Sequence, residues 1–226
     1  MYALSLDWKK CPDGVELFDY GRNEPPKLKV LGSQRRQPTL AEGTGPTGLT
    51  FRCKSARRLK TLLEVVDLEN PLIVRFVNAR DDEARAEFFA RFGFLYKNHD
   101  EQPRPDALED QKTLRRLLTV VGTEERDKAI EHVNRALGKS MGFALTPRLD
   151  GEGRLSLHPQ SLLGLMLMEA AMIVERGARL TSCDNCGVAF LTGPTTGRRS
   201  HAVYCSDRCR VAAMRARNAE QARPFE

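Results

Sequence analysis

Cys183-Asp184-Asn185-Cys186 is followed, after eighteen intervening residues, by Cys205-Ser206-Asp207-Arg208-Cys209, and these two pairs decide how the C-terminal part of the chain is built. Two close cysteine pairs at this separation are a strong zinc signal. Four thiolates close a tetrahedral shell, whereas a catalytic zinc keeps one position open, so the spacing predicts one structural Zn2+ ion held by Cys183, Cys186, Cys205 and Cys209. The first pair has the two-residue gap of a knuckle, whose turn ends at Gly187 and lets backbone amides point at the sulfurs. In the second pair Ser206 is a good N-cap, which sets Cys205 just before a helix and Cys209 in its first turn. Both thiolates then sit at the positive end of a helix dipole, which lowers their pKa. Between the pairs, Val188 to Leu191 reads as one strand, Gly193-Pro194 and Gly197 as its breakers, and Ala202 to Tyr204 as the returning strand. Knuckle, hairpin and helix predict a treble clef. His201 is a rival ligand, and a pair of disulfides is the competing reading of the cysteines; a segment of about forty residues needs a staple of one kind or the other.

The helix that follows is rich in arginine. On a 3.6-residue wheel Cys209, Ala212, Ala213 and Ala216 share one face, with Arg208 and Arg215 on one shoulder and Arg210 and Arg217 on the other. With Arg198 and Arg199 of the preceding loop, six arginines stand against one acid, Asp207, which the helix N-terminus accounts for. The chain carries a net charge of +6, and residues 179–226, with eight arginines, no lysine and four acids, hold +4 of it. Guanidinium forks contact phosphate or guanine bidentately, and charge of this density draws a polyanion in a salt-dependent way. Tyr204 and Phe190 are taken up by the finger's own packing, which leaves little platform for stacking single-stranded bases. Duplex DNA is therefore the favoured partner, contacted by Arg198, Arg199, Arg208, Arg210, Arg215 and Arg217. A solvated helix face, or a surface for RNA or an acidic protein, is the alternative reading of the same charge. One small module makes few contacts, so a homodimer would add specificity.

From Leu180 to Asn218 the sequence resembles the bacterial zinc-finger proteins named for a Cys-Gly-Asn-Arg motif, which are regarded as stress-induced transcription regulators. The resemblance rests on the Cys183-Cys186 knuckle, Phe190, Arg198-Arg199, Tyr204-Cys205-Ser206 and the Cys209 to Arg217 segment. It implies a larger N-terminal domain followed by a DNA-binding finger. The chain departs from that pattern in having Arg210-Val211 after Cys209, a last pair one residue closer, and Tyr204 where the family usually has Trp.

Upstream, residues 1–178 read as an α+β domain and residues 179–226 as a small C-terminal finger. Tyr2, Leu4 and Leu6, then Val15, Leu17 and Phe18, suggest short strands about a Pro12-Asp13-Gly14 turn. Residues 21–50 are rich in Pro, Gly, Gln and Arg and read as a loop. Ser55 caps a predicted helix to about Val66, and Leu72 to Val77 is a β-branched apolar run that predicts a buried strand. A helix starts near Asp81-Asp82-Glu83, turns Phe88, Phe89 and Phe92 inward and stops at Gly93. Two amphipathic helices follow, at about 105–121 and 124–137, the second capped by Thr123. A hairpin is predicted about Asp150-Gly151-Glu152-Gly153, with Pro147 in an edge strand. Gln160 to Arg176, apolar nearly all round, predicts the central buried helix, with its methionines in the core and Gly177 as its stop.

The composition, 41% hydrophobic and 29% charged over 226 residues, is that of a folded globular chain. No apolar run reaches the roughly 18 residues of a membrane helix. Asp7 and two lysines interrupt the N-terminal stretch where a signal peptide needs apolar residues, so a cytoplasmic location is expected; four cysteines crowd into residues 183–209, while Cys11 and Cys53 stand alone. No glycine-rich phosphate loop, metal-binding histidine pair or nucleophile motif is visible, and His99, His132, His158 and His201 are scattered, so the chain does not read as an enzyme.

Overall fold

The computed structural model describes residues 4–20, 48–55, 57–63, 70–96, 101–123, 126–139, 145–149, 155–159 and 161–221. In chain order the elements are β1 (Leu4–Lys10), β2 (Val15–Asp19), β3 (Leu49–Cys53), β4 (Arg57–Leu63), α1 (Leu72–Val77), α2 (Asp82–Phe92), β5 (Glu101–Pro103) and α3 (Arg104–Thr123). They continue with α4 (Arg126–Lys139), β6 (Leu145–Leu149), β7 (Leu155–Pro159), α5 (Leu162–Glu175), β8 (Arg179–Ser182), β9 (Ala189–Thr192) and α6 (Asp207–Gln221). The fold mixes helices with small antiparallel sheets, β1-β4, β2-β3-β5, β6-β7 and β8-β9.

Local signals place several elements as the sequence predicts. The Asp81 carboxylate accepts the Ala84 N–H at 2.8 Å to start α2, and Gly93 closes it with its N–H on the Phe89 carbonyl at 2.8 Å. The Ser161 hydroxyl likewise caps α5 by accepting the Gly164 N–H at 3.0 Å. At the other end Gly177, with φ +65°, lets the Ala178 N–H reach back to the Ile173 carbonyl at 3.0 Å, a closure that an L-side chain would strain. Leu162, Leu165, Met166, Ala170 and Ile173 of α5 are fully buried. Phe51, Phe76, Phe88, Phe89 and Phe94 pack beside them, with ring centroids 5.0 Å apart for Phe76–Phe88 and 5.3 Å for Phe51–Phe89. Aromatic clusters of this kind dominate a core, since each ring buries a large apolar area.

Long-range partners override the local pattern elsewhere. The segment after Ser55 is strand β4 rather than a helix, because β1 pairs with it along its whole length, from Leu4↔Leu63 to Lys10↔Arg57. The Ser55 hydroxyl bonds the Asp13 carboxylate instead of capping a helix. Leu72 to Val77 is the short helix α1, not a strand. A wholly buried apolar run carries no periodicity to separate the two. What settles it is the buried carboxylate of Glu169 on α5, which accepts the Leu72 N–H at 3.0 Å and the Ile73 N–H at 2.7 Å.

Three smaller expectations also change. Thr123 is the last residue of α3 rather than the cap of α4. Leu49 and Thr50 belong to β3 and Gly48, with φ +89°, leads into it, while residues 21–47 of the expected loop, and the 150–153 turn, fall outside the described residues. Cys11 and Cys53 do not stand alone. They form a disulfide with Cα atoms 5.4 Å apart, because the β2–β3 register sets Cys53 opposite Val15, just past the turn that Cys11 opens. No helix among the described residues is long and apolar enough to cross a membrane.

Helix α1 is held at both ends. Gln111 of α3 donates its amide N–H groups to the carbonyls of Phe76 and Ala79, the latter at 2.8 Å, and its carbonyl accepts Arg85 Nε at 3.1 Å and Nη2 at 3.0 Å. Arg115 donates to the Val77 carbonyl at 2.6 Å. Every polar atom of the buried Gln111 side chain is thus used, as burial demands. The result is a rigid post, and the C-terminal module is mounted on it.

Candidate metal centre

The mount is Asn78, the C-cap of α1. Its side-chain N–H donates to the Ala189 carbonyl at 2.8 Å while its carbonyl accepts the Ala189 N–H at 2.9 Å, so one side chain pairs both backbone groups of Ala189 as a neighbouring strand would. The other edge of β9 is taken by β8, in register from Arg179↔Thr192 to Ser182↔Ala189. Ala189, Phe190, Leu191 and Thr192 are all buried, and Ala189 and Leu191 are part of the main core. Residues 202–204 form no strand: β9 pairs with β8 along one edge, and on the other Asn78 holds Ala189. The expected hairpin with Ala202 to Tyr204 is replaced by β8–β9, with the knuckle as its connection.

That knuckle is tight. The Gly187 N–H donates to the Cys183 carbonyl at 2.7 Å, and the Cys183 N–H to the Val188 carbonyl at 2.9 Å. Gly187 has φ +68°, and a Cβ there would stand 3.2 Å from Nη2 of Arg80, which donates to the Cys186 carbonyl at 3.0 Å. The Asp184 N–H donates to the Val203 carbonyl at 3.1 Å, which draws the chain before Cys205 up to the knuckle. Ser206 then caps α6, its hydroxyl accepting the Cys209 N–H at 3.3 Å, so Cys209 lies in the first turn as its spacing predicts.

These contacts bring Cys183, Cys186, Cys205 and Cys209 together with their sulfurs all within 4.8 Å of one another. Cys186 and Cys205 are 3.6 Å apart and Cys205 and Cys209 3.5 Å, and none of the four is in a disulfide. Sulfurs about 2.3 Å from a shared ion at tetrahedral angles stand about 3.8 Å from each other, whereas a disulfide needs about 2.05 Å. The cluster therefore fits a metal ion and not two covalent pairs. His201 is exposed and lies outside the set.

The electrostatics of the sulfurs depend on their places in this scaffold. Burial pushes the Cys183 thiol up, but backbone N–H groups of Cys205, Cys186 and Asn185 outweigh it and bring the pKa down to about 6. The Ser206 hydroxyl and the Cys205 thiol lower Cys209. Cys205 runs against the expectation of a lowered pKa. Burial and then hydrogen bonding with the sulfurs of Cys209, Cys186 and Cys183 raise it to about 12, because it becomes the thiol that keeps its proton among crowded neighbours. A cation at the centre is what such a crowd of sulfurs accommodates.

The arginines separate into two groups. Arg198 is half-buried, donates through Nη2 to the Cys205 carbonyl at 3.1 Å and lies 5.5 Å from the Phe190 ring centroid, so it braces the loop against the second cysteine pair. Arg199, Arg208, Arg210, Arg215 and Arg217 are exposed. Arg210 makes a surface pair with Asp207 at 3.2 Å, and the others have no protein partner among the described residues. Packing by alanine stops early: Ala213 is half-buried, but Ala212 and Ala216 are exposed, as is every residue from Met214 to Glu220. Sequence reasoning missed Asn78 and Arg80, whose roles have no local signal beyond the use of Asn as a helix stop. No family model and no curated protein matches this chain.

Proposed function

We propose that this chain is a DNA-binding protein, a bacterial transcription regulator, in which the four cysteines hold one structural zinc ion and α6 carries the arginines to duplex DNA. The observation that carries the reading is a helix fixed at its N-terminus by the sulfur cluster, exposed from Met214 onward, with four arginines on two flanks. A helix that serves only its own fold buries an apolar stripe. Beyond its first two turns α6 buries none, and this is how a projecting contact element is built.

Zinc is favoured because four soft thiolates gathered within 4.8 Å of one another suit its tetrahedral preference, and a filled shell leaves no position for substrate. When bound, the ion supplies a fixed tether for the helix start. The protein's own residues do the rest: Asn78 and Arg80 anchor the knuckle, Ser206 sets the helix, and the guanidinium groups meet phosphate. A knuckle followed by a helix that brings the second ligand pair is the order of a treble clef, and the resemblance between Leu180 and Asn218 points to the same regulators.

The test is fluorescence polarisation with random duplex DNA, single-stranded RNA and an acidic peptide. Four phosphate contacts predict an affinity for duplex that falls about a hundredfold between about 50 and 200 mM salt. Replacing Arg210 and Arg217 together by Ala should weaken binding and flatten that slope. Preferential capture of the RNA or the peptide would replace this reading by an interaction adaptor, and duplex binding unchanged in the double variant would contradict the assigned contacts.

A further inference from the structure

Resting on the duplex-DNA reading above, we propose that α6 lies in the major groove with the side opposite Cys209 on the bases, that Asn218 reads an adenine and that Met214 packs on the methyl of a thymine about two steps away. At about 100° per residue, Cys209, Ala213 and Glu220 line the side toward the sulfurs. Arg210 and Arg217 lie about a quarter turn from it in one direction, Arg208 and Arg215 about a quarter turn in the other. Val211, Met214 and Asn218 fill the arc between these two rails of charge.

A helix seated in the major groove, which is about 12 Å wide, has a phosphate backbone on each flank and base edges beneath it. Two opposed arginine rails match that cross-section in charge. A single acidic protein surface would engage one rail and leave the other in water. Between the rails Val211, Met214 and Asn218 are uncharged. Met214 is 48% exposed and Asn218 is exposed, while Val211, nearest the sulfurs, is half-buried. Asp207 falls on the same side but is held by Arg210 at the near end of the helix, and Glu220 is on the sulfur side, so no carboxylate intrudes between Met214 and Asn218.

The chemistry of this arc is selective. A carboxamide offers one donor and one acceptor, the complement of N7 and the N6 amino group of adenine, and an apolar side chain complements the thymine C5-methyl. Four helical residues rise about 6 Å, close to two base-pair steps of about 3.4 Å each. The two contacts therefore fall on separate base pairs of one site.

Selection from a randomised duplex pool with the full-length, metal-loaded protein, followed by equilibrium competition, tests this. The enriched site should hold an adenine with a thymine about two steps away. Replacing that adenine by 7-deazaadenine should weaken the wild type about tenfold and leave Asn218→Ala unaffected, and replacing the thymine by deoxyuridine should weaken the wild type a few-fold and leave Met214→Ala unaffected. Both variants should keep their metal and should lose more affinity for the enriched site than for random duplex. Enrichment without base preference, or a preference unchanged in Asn218→Ala, overturns the inference while leaving the DNA-binding reading in place. A wild type that binds no duplex at low salt removes that reading itself, and the inference with it.

Discussion

Helices α5 and α6 have 14 and 15 residues, and they are held in opposite ways. In α5 nearly every side faces the core, and its one buried acid, Glu169, is satisfied by two backbone N–H groups of α1. In α6 most residues face solvent, and an isolated helix of that length is marginal in water. Its order has to come from one end, through the Ser206 cap and the cysteine cluster. The lesson is that a helix can be held along its length by burial or at one end by a cap and a cysteine cluster, and that only the second way leaves its surface exposed: α5 spends its surface on the core, and α6 does not.

The sharpest way to break this comparison is to remove the ligation. Chelation, or Cys183→Ser, is expected to cost the module on the order of 10 kcal/mol of metal-binding energy, with loss of bound metal, loss of the α6 contribution to helical circular dichroism and loss of duplex binding. The body should still unfold cooperatively. A metal-free α6 that stayed helical would show that the cluster is not what holds it.

Next in size is the body's own covalent constraint. Reducing the Cys11–Cys53 bridge, which spans 42 residues, should lower body stability by about 4 kcal/mol in the chain-entropy estimate, seen as a lower denaturant midpoint. Metal content and duplex affinity should not change, since the bridge joins the β2–β3 pair and the cluster is built on the β8–β9 connection and the start of α6. Glu169→Ala leaves two buried N–H donors without an acceptor and should cost about 3 kcal/mol in equilibrium unfolding. If its effect were below about 0.5 kcal/mol, the carboxylate would not be the reason that Leu72 to Val77 is helical.

Asn78→Ala is the smallest and the most diagnostic change, because it lies between the two regions. Losing both bonds to Ala189 should cost about 2 kcal/mol and should speed metal release in a chelator competition assay. A change in stability with no change in metal release would mean that the module is not mounted on α1 as described.

The four-cysteine cluster was more legible in the sequence than the body that carries it, and the reason is range. Cys183 and Cys186, Cys205 and Cys209, Gly187 and Ser206 each act within a few residues, so spacing alone conveys their geometry. The stops of α5 at Gly177 and of α2 at Gly93 were visible on the same ground, whereas the Ser161 cap of α5 was not singled out. By contrast, α1 depends on Glu169, which lies 97 residues beyond Leu72, and β4 depends on a strand at the start of the chain. The disulfide depends on the β2–β3 register, and the anchoring of Ala189 in β9 on an asparagine 111 residues away. An apolar run or an isolated cysteine contains no record of such partners.

Elemental analysis of freshly purified, reduced protein, paired with a count of reactive thiols before and after chelation, tests the central claim most directly. The account predicts one zinc ion per chain and four thiols that become reactive only when the ion is withdrawn. Protein without bound metal whose four C-terminal cysteines react freely, or are found paired as disulfides, would contradict it.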